Sequence, residues 1–71
     1  MNNLNSESIA LNETCIRILK CSSFGMTNLK IAETLNISLE EVKSNMKEIY
    51  VKLGTYNKLQ SVIAAYKLDI I

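Results

Sequence analysis

The stretch Ser38–Gly54, SLEEVKSNMKEIYVKLG, decides how the rest of the chain reads. Leu39, Val42, Met46, Ile49 and Leu53 follow one another at spacings of three, four, three and four residues. That period puts them on one face of an α-helix, as an apolar stripe that must bury itself against something. Ser38-x-x-Glu41 is a start signal: the hydroxyl accepts from a backbone N–H of the first turn, and Glu41 reaches back to the N–H of the cap residue. Gly54, directly after Leu53, is a stop signal, because glycine enters the left-handed C-terminal cap without strain. Lys52 in the last turn favours the negative end of the helix dipole. One long helix with both ends marked is predicted.

Its other face bears on function. At about 100° per residue, Glu40, Ser44, Lys47, Glu48 and Val51 lie opposite the stripe, with Lys43 beside them. Val51 is the one large apolar residue there. On an isolated helix such a mixed face is ordinary solvation. What surrounds this helix points further.

A chain of 71 residues is one domain, and a domain this small buries only about 60% of the surface its unfolded chain exposes. It gains from a compact core and from association. A content of 48% hydrophobic and 21% charged residues is ordinary globular material. With no proline and only Gly25 and Gly54 as glycines, helices joined by short turns are favoured. The net charge is +1, and Leu11–Ile71 carries eight basic against six acidic residues. That is a weak electrostatic footprint for a nucleic-acid binder, although local distribution counts for more than the total.

Cys15 and Cys21 stand six apart in a chain without histidine, so a zinc site of Cys and His ligands lacks its ligands. They read as reduced thiols that behave as small buried hydrophobes, in a cytoplasmic protein. No metal or other cofactor is expected. Neither a bilayer-spanning apolar run nor an export signal is present, so no membrane partner is expected. The chain also lacks a glycine-rich phosphate loop and a nucleophile paired with a base, so an enzyme is not expected.

In chain order, Met1–Ala10 reads as a flexible leader or the remnant of a linker, and residues 11–71 as the domain. A first helix is predicted from about Glu13 to Ser23, capped by Asn12 with Leu11 as a staple. Leu11, Cys15, Ile18, Leu19 and Ser22 face inward, Ile16 lies on a flank, and Arg17 and Lys20 face water. Gly25 ends this element at positive φ. A second helix follows from Asn28 to Leu35, with Thr27 as its cap and Ile31, Ala32 and Leu35 inward; Ala32 is small enough for a close crossing. Asn36-Ile37-Ser38 is a tight turn with Ile37 as a buried plug. A short helix, a tight turn and a long capped helix make a helix-turn-helix arrangement, whose second helix can lie in a DNA major groove. The fourth helix begins after Asn57, where Asn57-x-x-Gln60 is another capping box. Leu59, Val62, Ile63 and Tyr66 form its stripe, Ala64 and Ala65 a low-relief second surface. Leu68, Ile70 and Ile71 form an apolar tail for the first helix or for a subunit interface.

Taken together, Leu11, Ile18-Leu19, Gly25, Thr27-Asn28, Ile31-Ala32, Leu35, Ile37-Ser38, Val42-Lys43, Ile49, Lys52-Leu53-Gly54 and Asn57-Lys58 resemble the LuxR-type (GerE-like) DNA-binding domain of bacterial transcription regulators. The resemblance runs without a gap from Leu11 to about Val62. It implies an all-α, four-helix domain with the third helix as recognition helix and the fourth as dimerisation element. It puts Lys43, Ser44 and Lys47 at the groove floor or its edges, and Thr27, Asn28, Lys52 and Lys58 at backbone phosphates. Leu59, Ile63 and Tyr66 would carry the dimer. The departures are also informative. Thr14, Cys15 and Arg17 stand where the family has an Arg-Glu pair and a later Glu, so its buried salt-bridge network is expected to be missing. Leu29 and Lys30 stand where a basic residue commonly precedes the Ile-Ala pair. Glu41 replaces a customary Thr and Asn45 a customary His, and the charges of the third helix sum to zero.

The function expected is sequence-specific binding of double-stranded DNA for bacterial transcription regulation, as a homodimer. RNA polymerase or another regulator is a further candidate partner. The alternative is a LuxR-like interaction module with weak or lost DNA affinity that pairs with, or blocks, another regulator through the fourth helix.

Overall fold

In the computed structural model, which describes residues 9–71, the chain forms α1 (Glu13–Ser23), α2 (Asn28–Leu35), α3 (Leu39–Leu53) and α4 (Lys58–Lys67). No strand occurs among the described residues. This is the all-α, four-helix architecture that the periodicity predicts. Most of the leader expected over Met1–Ala10 lies outside the described residues.

Each helix starts on the polar side chain expected to cap it, so first-turn amides that lack an intrahelical partner are satisfied locally. Asn12 Oδ1 accepts from Cys15 N at 2.8 Å, and Thr27 Oγ1 from Lys30 N at 3.1 Å. Ser38 Oγ accepts from Glu41 N at 2.9 Å, and Asn57 Oδ1 from Gln60 N at 2.8 Å. The reciprocal half of the fourth-helix box differs from expectation: Gln60 Oε1 accepts from Tyr56 N at 2.9 Å, one residue before the cap. The helix ends follow the turn chemistry. Gly25 at φ +82° and Gly54 at φ +67° take the left-handed conformation. Asn36 closes α2 the same way at φ +59°, which asparagine tolerates better than most side chains.

The core lies where α1 and α3 cross. Cys15, Ile18, Leu19 and Cys21 from α1 meet Ile31 and Ala32 of α2, Val42, Met46 and Ile49 of α3, and Ala65 of α4. α3 packs on every other helix, and α1 does the same. Leu11, Leu35, Ile37, Leu53, Ile70 and Ile71 are partly buried around this cluster. The apolar tail therefore folds back on its own domain, with Ile70 N donating to Ala65 O at 2.8 Å.

α4 is rotated relative to the simplest reading of its stripe. Ser61 and Ala65 are its buried residues, whereas Leu59 is 70%, Ile63 46% and Tyr66 75% exposed. Two small side chains let the α4 backbone come close to the core, where bulkier ones would hold it off. The buried Ser61 hydroxyl is satisfied within the chain: it reaches Asn57 O at 2.8 Å and Thr55 Oγ1 at 2.6 Å.

Candidate nucleic-acid interface

Burial of Val42, Met46 and Ile49 fixes the roll of α3, and with it the face turned to water. Lys43, Ser44 and Lys47 all lie on that outward side and are exposed, as are Glu40 and Val51. Glu48 departs from the expected set. It is half-buried on the α1 side, and its carboxylate pairs with Lys52 Nζ at 2.8 Å. Lys52 Nζ also donates to the Ala10 carbonyl. So the structure holds Lys52 against the start of the domain, and Ala10, assigned to the leader by sequence, is tied to α3. With Glu48 and Lys52 neutralising each other, the exposed side of α3 keeps the amines of Lys43 and Lys47 beside the carboxylates of Glu40 and Glu41. The charges of α3 sum to zero along the sequence, and those left on its exposed side also balance, two amines against two carboxylates.

A second cluster forms at the start of α2. Thr27 is exposed and its hydroxyl is engaged as the cap; Asn28 is half-buried, with Oδ1 enclosed and without a hydrogen-bond partner among the described residues. Lys58, from the start of α4, donates through Nζ to Met26 O at 3.1 Å, directly before Thr27. Partial burial pushes the Lys58 ammonium below its usual range. Thr27, Asn28 and Lys58 thus share one corner of the molecule, with part of the hydrogen-bonding capacity of Lys58 already used on Met26.

The third expected site, Leu59, Ile63 and Tyr66, forms the exposed side of α4. Beside it runs an open, almost wholly apolar groove of about 520 Å³ between the end of α1 and α4, whose lining includes Phe24, Val62, Ile63, Tyr66 and Ile71. Phe24, 81% exposed, is the member that the sequence reading passed over. The available signal was an aromatic residue next to Gly25 and off the inward stripe of the first helix.

The two departures Cys15 and Asn45 meet across the α1–α3 contact, where the thiol donates to Asn45 Oδ1 at 3.2 Å. Arg17 pairs instead with Glu13 one turn back, on the surface, at 3.1 Å. No helix among the described residues is long and apolar enough to cross a membrane.

Comparison with known proteins gives a consistent result. The family described as "Bacterial regulatory proteins, luxR family" (GerE) matches residues 10–65. The chain is 44% identical over 50 residues to the HTH-type transcriptional regulator AlkS of Alcanivorax borkumensis, a match covering 70% of this chain and 6% of that protein. It is 35% identical over 51 residues to the HTH-type transcriptional activator RamA of Corynebacterium glutamicum, covering 72% and 18% respectively. Among solved structures it is similar to the response regulator ChrA of a heme-sensing two-component system. There the TM-score is 0.85 at 35% identity, over 87% of this chain and 31% of that one. The chain therefore spans a small part of the length of each of these relatives.

Proposed function

The chain belongs to the LuxR family of bacterial regulatory proteins, and on that premise we propose that it binds double-stranded DNA sequence-specifically to regulate transcription. α3 enters the major groove, with Lys43, Ser44 and Lys47 toward base edges and groove walls. The start of α2, with Thr27 and Asn28, offers backbone N–H groups and a positive dipole end to a phosphate. Lys58 adds a cation at the same corner, and Lys52 remains a phosphate contact only by leaving Glu48 and Ala10. Two copies associate through Leu59, Ile63 and Tyr66 of α4, which sets the spacing of two half-sites. The observation that carries this reading is the outward face of α3: its apolar stripe is buried, its Glu48 is drawn onto Lys52, and its two lysines are exposed with no ion pair among the described residues.

The same exposed α4 surface supports a second reading, in which the domain pairs with another regulator and has little DNA affinity. Selection from a random-sequence duplex pool at two salt concentrations separates them. The DNA reading expects a two-fold symmetric motif whose affinity falls steeply with salt. A folded protein that enriches nothing, even at low salt, rules it out and leaves the interaction module.

A further inference from the structure

Val51 is 81% exposed on the outward face of α3. The other apolar residues of α3 all have a place in the fold: Val42, Met46 and Ile49 are buried, and Leu39, Tyr50 and Leu53 are half-buried. Val51 alone among them is turned to water, where a β-branched residue is also a poorer helix former than Ala, Lys or Glu. Neither packing nor helix propensity accounts for a valine there.

Its position does. Ser44, Lys47 and Val51 are spaced three and four residues apart, so they stand in one row along the helix. From Ser44 to Val51 the helix rises about 10.5 Å, close to the length of three base-pair steps at about 3.4 Å each. The neighbouring Lys52 is drawn off this row by Glu48 and the Ala10 carbonyl, which leaves the valine methyls uncovered. The apolar feature that the major groove offers to such a surface is the 5-methyl group of thymine. Valine presents two methyls on a side chain with little rotational freedom, so fixing it in the groove carries a small entropic penalty.

We propose that Val51 is a specificity-determining residue that packs on a thymine 5-methyl group, extending the reading row Ser44–Lys47 by one helical turn. This rests on the DNA-binding reading above. It places a thymine in each half-site, about three base pairs from the position read by Ser44.

The test uses the site selected by the wild-type chain. Each thymine of a half-site is replaced in turn by deoxyuridine, which removes only the 5-methyl group, and affinities are measured for wild type and Val51→Ala. One position per half-site is expected at which wild type loses about 4-fold, while Val51→Ala binds both duplexes equally. Circular dichroism of Val51→Ala should match wild type, because the side chain is exposed. Equal losses in both proteins at every thymine, or a half-site with no methyl-sensitive thymine, overturn the Val51 assignment and leave the DNA-binding reading intact. Failure to select any site overturns both.

Discussion

The Cys15 thiol of α1 donates to Asn45 Oδ1 of α3 at 3.2 Å, so two positions that depart from the family pattern form a single contact. Asn45 is in turn held by its own helix, its Nδ2 donating to Glu41 O at 2.8 Å. A thiol is a weak donor and Cys15 is fully buried, so most of its contribution is packing. A urea-unfolding cycle of Cys15→Ala, Asn45→Ala and the double variant should therefore give a coupling of only about 0.5 kcal/mol. Cys15→Ala alone should destabilise by about 1–2 kcal/mol. A coupling several times larger would show that the pair, and not the packing, holds α1 to α3.

The Cys15 thiol is pushed above its ordinary value of 9.0, first by burial and next by the carboxylate of Glu48, with Lys52 and the Asn12 contact opposing. A raised pKa in the folded state means that the unfolded chain releases its proton first as pH rises. The stability contributed by the protonated thiol is thus present below about pH 9 and is lost as pH climbs through the folded-state value. Relative to Cys15→Ala, the wild type should lose stability on going from pH 8 to pH 10.5, and its Cys15 should resist alkylation at pH 8 until denaturant is added. A thiol alkylated readily in the native protein would contradict this.

Gly54 and Asn36 both sit at positive φ, but only Gly54 lacks a Cβ, and a Cβ added there would meet nothing within 4 Å. The effect of Gly54→Ala is therefore conformational and should amount to about 1 kcal/mol. Gly54→Asn should lose less. Asn36→Gly should be close to neutral, whereas Asn36→Val should destabilise more than Gly54→Ala, since β-branching disfavours the left-handed region. Thermal melts of the four variants rank them.

Lys43 and Lys47 are exposed and have no ion-pair partner among the described residues, whereas Lys52 is bound to Glu48 and Ala10. Should all three reach phosphates, each alanine variant would lower the slope of log affinity against log salt by about one. The expected outcome is unequal: Lys43→Ala and Lys47→Ala each lower it by about one, and Lys52→Ala by clearly less. Glu48→Gln should then increase affinity by freeing Lys52. A full-sized effect of Lys52→Ala would mean that DNA outcompetes its internal partners.

The side chains of Ile63 and Tyr66 face water, so Ile63→Asp and Tyr66→Asp should leave the monomer folded while abolishing association in analytical ultracentrifugation. DNA affinity for a two-fold site should fall far more than affinity for a single half-site, because only the former uses both copies. Unchanged sedimentation would overturn the proposed association through α4 and leave the Phe24 groove as the next surface to test.

The sequence alone determined the helices and their ends. Asn12, Thr27, Ser38 and Asn57 cap locally, Gly25 and Gly54 end locally, and the stripes Ile18–Leu19, Ile31–Ala32 and Val42–Met46–Ile49 carry a period that only one roll of each helix can bury. These are short-range effects, decided within a turn or two of chain. The tertiary structure decided which charges of α3 face outward, because Glu48 and Lys52 choose partners that include Ala10, 42 residues away in sequence from Lys52. It also decided the roll of α4. Both of its sides are apolar enough to bury, and the close approach permitted by Ser61 and Ala65 turns Leu59, Ile63 and Tyr66 out. Likewise Lys58 reaches Met26 only because α4 lies across the α1–α2 turn. Periodicity reports that a face is apolar; which of two such faces the core accepts depends on the shape of the helices already packed there.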